Sequence, residues 1–180
     1  MIDLRYSELP SELYADGRWY PIYTGFRTWI EFDRSLRAEN VAWYGIFKED
    51  VPQGSDWVTS AIEFLASPND MPRSVSAQES DLAIDYIKDG ELIVAAFQQA
   101  YGIDLTTTDM HWHRFKALLF NVPEDTRLSK VMGYRTWRKQ GKESYDEIMR
   151  QLKEEWRIVP PEEERERAQM LQWMEQFGTE

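Results

Sequence analysis

Asp89-Gly-Glu-Leu-Ile-Val-Ala-Ala-Phe-Gln-Gln-Ala-Tyr-Gly102 is the stretch on which the fold turns. Leu92, Ile93, Ala96, Phe97, Ala100 and Tyr101 recur at three- and four-residue spacing and cover a broad half of a helical cylinder. Asp89 stands as N-cap and Gly102 as a left-handed stop. A face that wide belongs in a core, so this chain builds on packed helices. Downstream, Thr108 or Asp109 caps a helix on which Trp112, Phe115, Leu118 and Leu119 share the core face, and Asn121-Val122-Pro123 ends it. Thr126 caps a shorter helix reaching Met132.

Upstream, Gly25 to Arg37 carries Phe26, Trp29, Ile30 and Leu36 near helical spacing. Ser55 caps a second helix with Trp57, Val58, Ile62 and Leu65, which stops at Ser67-Pro68. Val41 to Phe47 fits either helix or strand. Ser67 to Ser80, with its prolines and serines, reads as a surface loop, and Leu9-Pro10, Gly17 and Tyr20-Pro21 punctuate residues 1–24 into an irregular arm.

Beyond Gly141 the apolar residues Tyr145, Ile148, Met149, Leu152 and Trp156 fall within an arc of about 100° on a helix whose opposite face is charged or amide. Pro160-Pro161 breaks it and starts another helix through Met170, Leu171, Trp173, Met174 and Phe177. No alternating run demands a sheet. The reading is all-α, or mostly α: a compact helical core over residues 1–140 with an irregular N-terminal arm, and an amphipathic two-helix extension over residues 141–180.

Length and composition agree with that size. At about 150 residues per domain, 180 residues make one domain with a small appendage. With 42% hydrophobic residues, 8 Trp, 9 Tyr and 8 Phe, there is ample material for a core. The net charge of −11 repels nucleic acid and anionic membrane, so neither is expected as a partner. The absence of cysteine removes disulfides, thiolate metal sites and thiol nucleophiles. The N-terminus lacks a signal-peptide pattern and no apolar stretch is long enough to span a bilayer, so a soluble cytosolic protein is expected.

Catalytic patterns are sparse. On one helix His111 and His113 would sit about 200° apart and could not share a metal. That geometry puts His111 beside Phe115 and Leu118 and turns His113 away. No nucleophile elbow accompanies them. Gly141-Lys142 would need a glycine at position 136 to form a phosphate loop, and Thr136 stands there. Asp81, Asp85 and Asp89 recur every fourth residue and could chelate magnesium, but Asp89 is better used as a helix cap; a small metal-dependent enzyme would use Asp81, Asp85 and His111. The expectation is a non-enzyme with no catalytic, cofactor or metal site.

Charge is distributed unevenly. Arg114 to Lys142 is net +6, whereas residues 141–180 are net −5. Either the acidic end folds back on the basic stretch, or each docks a partner of opposite sign. The apolar stripe of the extension is equally open to two readings, core packing or partner binding through Trp156 and Trp173.

Several runs carry a family resemblance: Tyr20-Pro-Ile-Tyr-Thr-Gly-Phe-Arg27, Asp85-Tyr86, Ala96-Phe97, Tyr101-Gly-Ile-Asp-Leu105, Met110-His-Trp-His-Arg-Phe-Lys-Ala-Leu-Leu119 and Met132-Gly-Tyr-Arg135. Together they resemble the bacteriophage gene product 15 family over Leu9 to Trp137. Residues 38 to 60 follow it least, and the two closing helices stand as a variable extension. The resemblance implies a gene between the major tail protein and the tape-measure protein of long-tailed phages, in a siphovirus or prophage. It thus implies a tail assembly chaperone that coats the tape-measure protein in the host cytoplasm and is absent from the finished virion. An upstream tail assembly chaperone, the tail tube protein and a second copy of the chain are the further partners. The alternative is a tail completion or head–tail joining protein that stays in the particle. The expected client-facing residues are Tyr145, Ile148, Met149, Leu152, Trp156, Met170, Trp173 and Met174. Arg27 and Arg135, from the Phe-Arg and Tyr-Arg runs, are expected either to bind a partner or to pair with Asp85 or Asp89.

Overall fold

The computed structural model describes residues 8–37, 45–66, 82–141, 143–159, 169, 170 and 173. The expected loop over 67–80, most of the ambiguous 41–47 segment and the second closing helix as an element lie outside them. The described residues hold six helices and one two-stranded sheet, so the chain is mostly helical and not all-α. The sheet is the correction. Residues 12–21, expected as irregular arm, form strands β1 (Glu12–Ala15) and β2 (Arg18–Pro21), paired antiparallel with Leu13 opposite Tyr20. Asp16 and Gly17 make the two-residue turn with φ of 48° and 78°. An Asp-Gly pair tolerates two left-handed residues, and that turn has the twist a hairpin needs. Leu13, Ala15 and Tyr20 face inward, while Tyr14 and Trp19 meet edge to face on the outside at 5.3 Å.

The chain divides into two compact units, Met1–Pro72 with Glu91–Thr126, and Arg73–Gly90 with Arg127–Glu180. In the first unit, α1 (Phe26–Arg37), α2 (Trp57–Leu65), α3 (Gly90–Tyr101, from Glu91 onward) and α4 (Trp112–Leu119) surround an aromatic core. Phe115 is its hub, stacked on Phe26 at 4.6 Å and on Phe97 at 5.4 Å. A second aromatic path runs from Tyr20 through Phe47, Trp57, Phe32 and Trp29 to Phe64. Trp112, Phe115 and Leu119 are buried as expected, but Leu118 is only half-buried.

Three caps differ from expectation. Asp56, not Ser55, precedes α2, and its side chain makes no capping bond. The α4 cap is His111, whose Nδ1 accepts the His113 N–H at 3.1 Å, not Thr108 or Asp109. The Asp89 carboxylate does not serve as a helix cap, because Arg135 and the Asp85 N–H occupy it.

In the second unit, α5 (Arg127–Thr136) runs a turn beyond the expected Met132 and packs against α6 (Glu143–Glu155). Leu128, Val131 and Arg135 turn inward from α5, with Ile84 and Ile158 buried in the same unit. No described helix is long and apolar enough to cross a membrane.

Candidate functional site

In the second unit the feature that organises the site is a buried fork. Arg135 stands at the inner edge of α5 with its side chain 7% exposed, and Asp89 meets it with 4% exposed. Arg135 Nη1 donates to Asp89 Oδ2 at 2.6 Å and Nη2 donates to Oδ1 at 2.8 Å, the parallel two-bond match of guanidinium to carboxylate. Nη1 also donates to the Ala83 carbonyl at 3.2 Å and Nε to the Trp156 carbonyl at 2.6 Å. One side chain thereby holds together the 83–89 segment, α5 and the residue that follows α6. Lys88 Nζ donates to the Val159 carbonyl at 2.7 Å, and the Arg127 guanidinium lies 5.4 Å from the Trp156 ring centre.

The second anchor of α6 is Asp146. It is buried, and its carboxylate accepts the N–H groups of Gln140 at 3.1 Å and Gly141 at 2.7 Å, where Gly141 has φ 84°. Asp146 is the buried residue of α6, so a polar contact rather than the apolar stripe defines its inner edge. Residues three and seven positions on from it along the helix, Met149 and Lys153, are half-buried, as are Leu152 and Trp156. The outer edge of the stripe is uncovered: Tyr145 is 43% exposed and Ile148 57%. Met170 and Trp173 are exposed as well, and Met174 lies outside the described residues. Glu147, Glu154 and Glu155 are exposed carboxylates of the same helix, and Glu155 shares the side of Ile148. Arg150 bonds Glu147 at 2.7 Å and holds its carboxyl below the usual range.

Arg27 belongs to the first unit and pairs with neither Asp85 nor Asp89. Its Nη2 donates to the Leu105 carbonyl at 2.6 Å, its Nη1 lies 3.4 Å from Asp109, and it stacks on Phe26. It ties the 104–109 segment to α1.

The histidines correct the helical-wheel expectation. His113 is the inward one, 5% exposed, and stacked on Phe64 at 4.4 Å. Because His111 precedes the first turn of α4, its ring swings out of the helical register, and its Nε2 lies 2.8 Å from the Pro10 carbonyl. His113 Nε2 lies 2.8 Å from the Phe64 carbonyl, which can only accept, so that nitrogen carries the proton. Its Nδ1 is buried with no partner. Burial, the largest influence, lowers His113 to about 4, and burial lowers His111 also. Trp112 Nε1 and Lys116 Nζ both donate to the Leu65 carbonyl, at 3.1 and 3.0 Å. Three side chains of α4 therefore satisfy the last carbonyls of α2, which a helix end leaves without internal partners.

Of the acidic trio, Asp81 lies outside the described residues. Asp85 Oδ1 accepts the N–H groups of Ile87 and Lys88, and Asp89 is held by Arg135. Among the described residues no three His, Cys, Asp or Glu side chains converge to hold a metal. An open cleft of about 570 Å³ beside the hairpin is lined by Asp16, Arg18, Tyr20, Asp50, Val51, Gln53 and Gly54. Its polar groups satisfy one another: Arg18 pairs with Asp50, and the Gln53 and Gly54 N–H groups bond Asp16 and, Gly54 foremost, lower its carboxyl.

Sequence reasoning missed Asp146 and Lys116. Each is a charged residue buried by a neighbour's backbone groups, and the signal for Asp146 was its position five residues after Gly141, at a helix start.

No curated protein and no solved structure matches the chain significantly. A family model described as Bacteriophage Gp15 protein matches residues 38–158. The match takes in residues 38–60, which follow the family least in the motif comparison, and all of α6 beyond Trp137, while the Tyr20–Arg27 run lies before its start. With the matched segment covering well over half of it, the chain belongs to the bacteriophage Gp15 protein family.

Proposed function

We propose that this chain is a tail assembly chaperone that binds the tape-measure protein during tail morphogenesis, stoichiometrically and without turnover. At the coarse level, membership of the family indicates a phage structural or head–tail related protein. One observation carries the finer reading: Tyr145 and Ile148 are uncovered on a helix held in place by polar anchors at both ends, Asp146 and Arg135. A strip of that kind can take an amphipathic helical client along i and i+3 contacts. The exposed carboxylates of Glu147, Glu154 and Glu155 on the same helix keep the loaded surface soluble and disfavour acidic competitors. Arg135 acts as a positioning residue for α6, and Arg27 stays with the core of the first unit. The place of action is the host cytoplasm, with no cofactor.

Co-expression with the downstream tape-measure protein of the same phage, followed by size exclusion with light scattering, tests this. Several copies per client chain and a client made soluble support it. An insoluble client, with the chain eluting alone and present in purified virions by mass spectrometry, replaces it with the tail completion or head–tail joining reading that the family equally accommodates.

A further inference from the structure

The outer side of the hairpin in the first unit is aromatic and uncovered. Side chains alternate along a strand, so Trp19, Pro21 and Tyr23 share the outer side while Tyr20 and Ile22 turn into the core. Tyr14 stands opposite Trp19 on β1, and the rings of Tyr14, Trp19 and Tyr23 are 50%, 63% and 49% exposed. The backbone beneath them is tied at both edges. On one, the Ser60 hydroxyl donates to the Tyr14 carbonyl at 2.7 Å. On the other, the Lys48 N–H donates to the Pro21 carbonyl at 3.1 Å and the Tyr23 N–H to the Ile46 carbonyl at 2.8 Å. Charge is divided along the same surface. The carboxylates of Asp16, Asp50 and Asp56 gather with Arg18 at the turn, where the Asp16 N–H donates to Asp56 at 3.2 Å and Arg18 pairs with Asp50 at 3.1 Å. At the far end Lys48 Nζ lies 6.0 Å from the Tyr23 ring centre.

We propose that this face binds a proline-rich segment of a partner protein, in polyproline II conformation, with a basic residue next to its prolines. The Tyr14 and Trp19 rings lie 5.3 Å apart and inclined at 63°, so together they form no flat platform for a base or a sugar, and the angle between them suits a pyrrolidine ring instead. A polyproline II chain leaves its carbonyls without internal hydrogen bonds, and the N–H of a tryptophan and the O–H of a tyrosine are donors for them. The spacing fits as well. One turn of such a chain covers about 9 Å. Measured along the strand from Trp19, Pro21 lies about 7 Å away and Tyr23 about 13 Å. A proline seated at the Tyr14–Trp19 pair therefore sets the next proline of the same side between Pro21 and Tyr23. The carboxylates at the turn meet a basic residue that continues past the pair, and the net charge of −11 disfavours nucleic acid as the occupant. Because the rings stand on backbone tied at both edges, little ordering is left to be done on binding. The surface lies wholly in the first unit and does not involve α6, so it stands or falls separately from the client assigned above.

NMR of the isotope-labelled full chain, titrated with a synthetic peptide in which a run of prolines is followed by a pair of arginines, tests it. Saturable shifts of the Trp19 indole N–H are expected, with binding weakened about tenfold by Trp19→Ala or Tyr14→Ala. Replacing the arginines of the peptide by glutamates should weaken binding to a similar degree, about tenfold, and raised salt should act in the same direction. A glycine–serine peptide ending in the same arginines separates ring recognition from charge attraction, and should bind about tenfold more weakly than the proline peptide. Circular dichroism reports the folding of each variant, and Trp19→Phe, which keeps a ring on the strand, should retain more of the binding than Trp19→Ala. No saturable shift at millimolar peptide overturns the proposal, as does binding indifferent to Trp19→Ala and Tyr14→Ala, or equal binding of the glutamate or glycine–serine peptide. Trp19 shifts given by an oligosaccharide or an oligothymidylate and not by the proline peptide overturn it too.

Discussion

Replacing His113 with glutamine turns one buried ring into a measurable pH dependence. In the folded chain the ring stays neutral down to about 4, whereas an unfolded histidine takes up its proton near 6.5. Between those values the unfolded state binds more protons than the folded one. Stability therefore falls as pH drops through 6.5 and stops falling, for this group, below about 4. At 1.36 kcal/mol per pH unit, and allowing for partial screening by solvent, the loss is about 2–3 kcal/mol. The geometry makes the cost plain: a proton on Nδ1 would add charge in a pocket where Phe64 covers the ring and Lys116 is already buried on the same helix. His113→Gln keeps an N–H for the Phe64 carbonyl but cannot titrate. It should be less stable than the natural chain at pH 7, yet lose less on going to pH 4.5. Urea unfolding followed by tryptophan fluorescence at both pH values gives the two differences, and NMR of the two histidine rings assigns the titration. Equal losses in the two proteins, or a His113 ring that titrates near 6.5 while the chain is folded, would refute the reasoning.

Arg135→Ala leaves the Asp89 carboxylate buried with one N–H partner, so it should cost about 3–5 kcal/mol in urea unfolding. Arg135→Lys should recover only part of that, because an ammonium cannot span both carboxylate oxygens and two carbonyls. Gly17→Val places a β-branched residue at φ 78° in the hairpin turn and should lower the melting temperature by an amount corresponding to about 1 kcal/mol or more. Ile148→Asp changes an exposed position, so its effect on unfolding should stay within about 0.5 kcal/mol while capture of the tape-measure protein in co-expression is lost.

The first unit was the more legible. Phe26, Trp29, Phe97, Trp112 and Phe115 announce their helices through local spacing, and each points into the aromatic core. The hairpin was not legible in the same way, because its turn signal, Asp16-Gly17, is only two residues long and its strands of four residues stand among prolines. The histidines were misread for a different reason. A wheel applies only inside a helix, and α4 begins one residue after His111.

What the sequence determined by itself is the approximate placement of the six described helices, since amphipathic periodicity is a local property and each element carries its own copy of it. It also determined the family, through runs such as Tyr101-Gly-Ile-Asp-Leu105. Tertiary structure alone decided which charges are buried and which apolar residues are not. Asp89 and Arg135 lie far apart in the chain and become a fork only when α5 packs beside the 83–89 segment. The stripe of α6 looks uniform on a wheel. Because Asp146 and Arg135 set how the helix sits, Met149 and Trp156 turn partly inward and Tyr145 and Ile148 are left facing solvent.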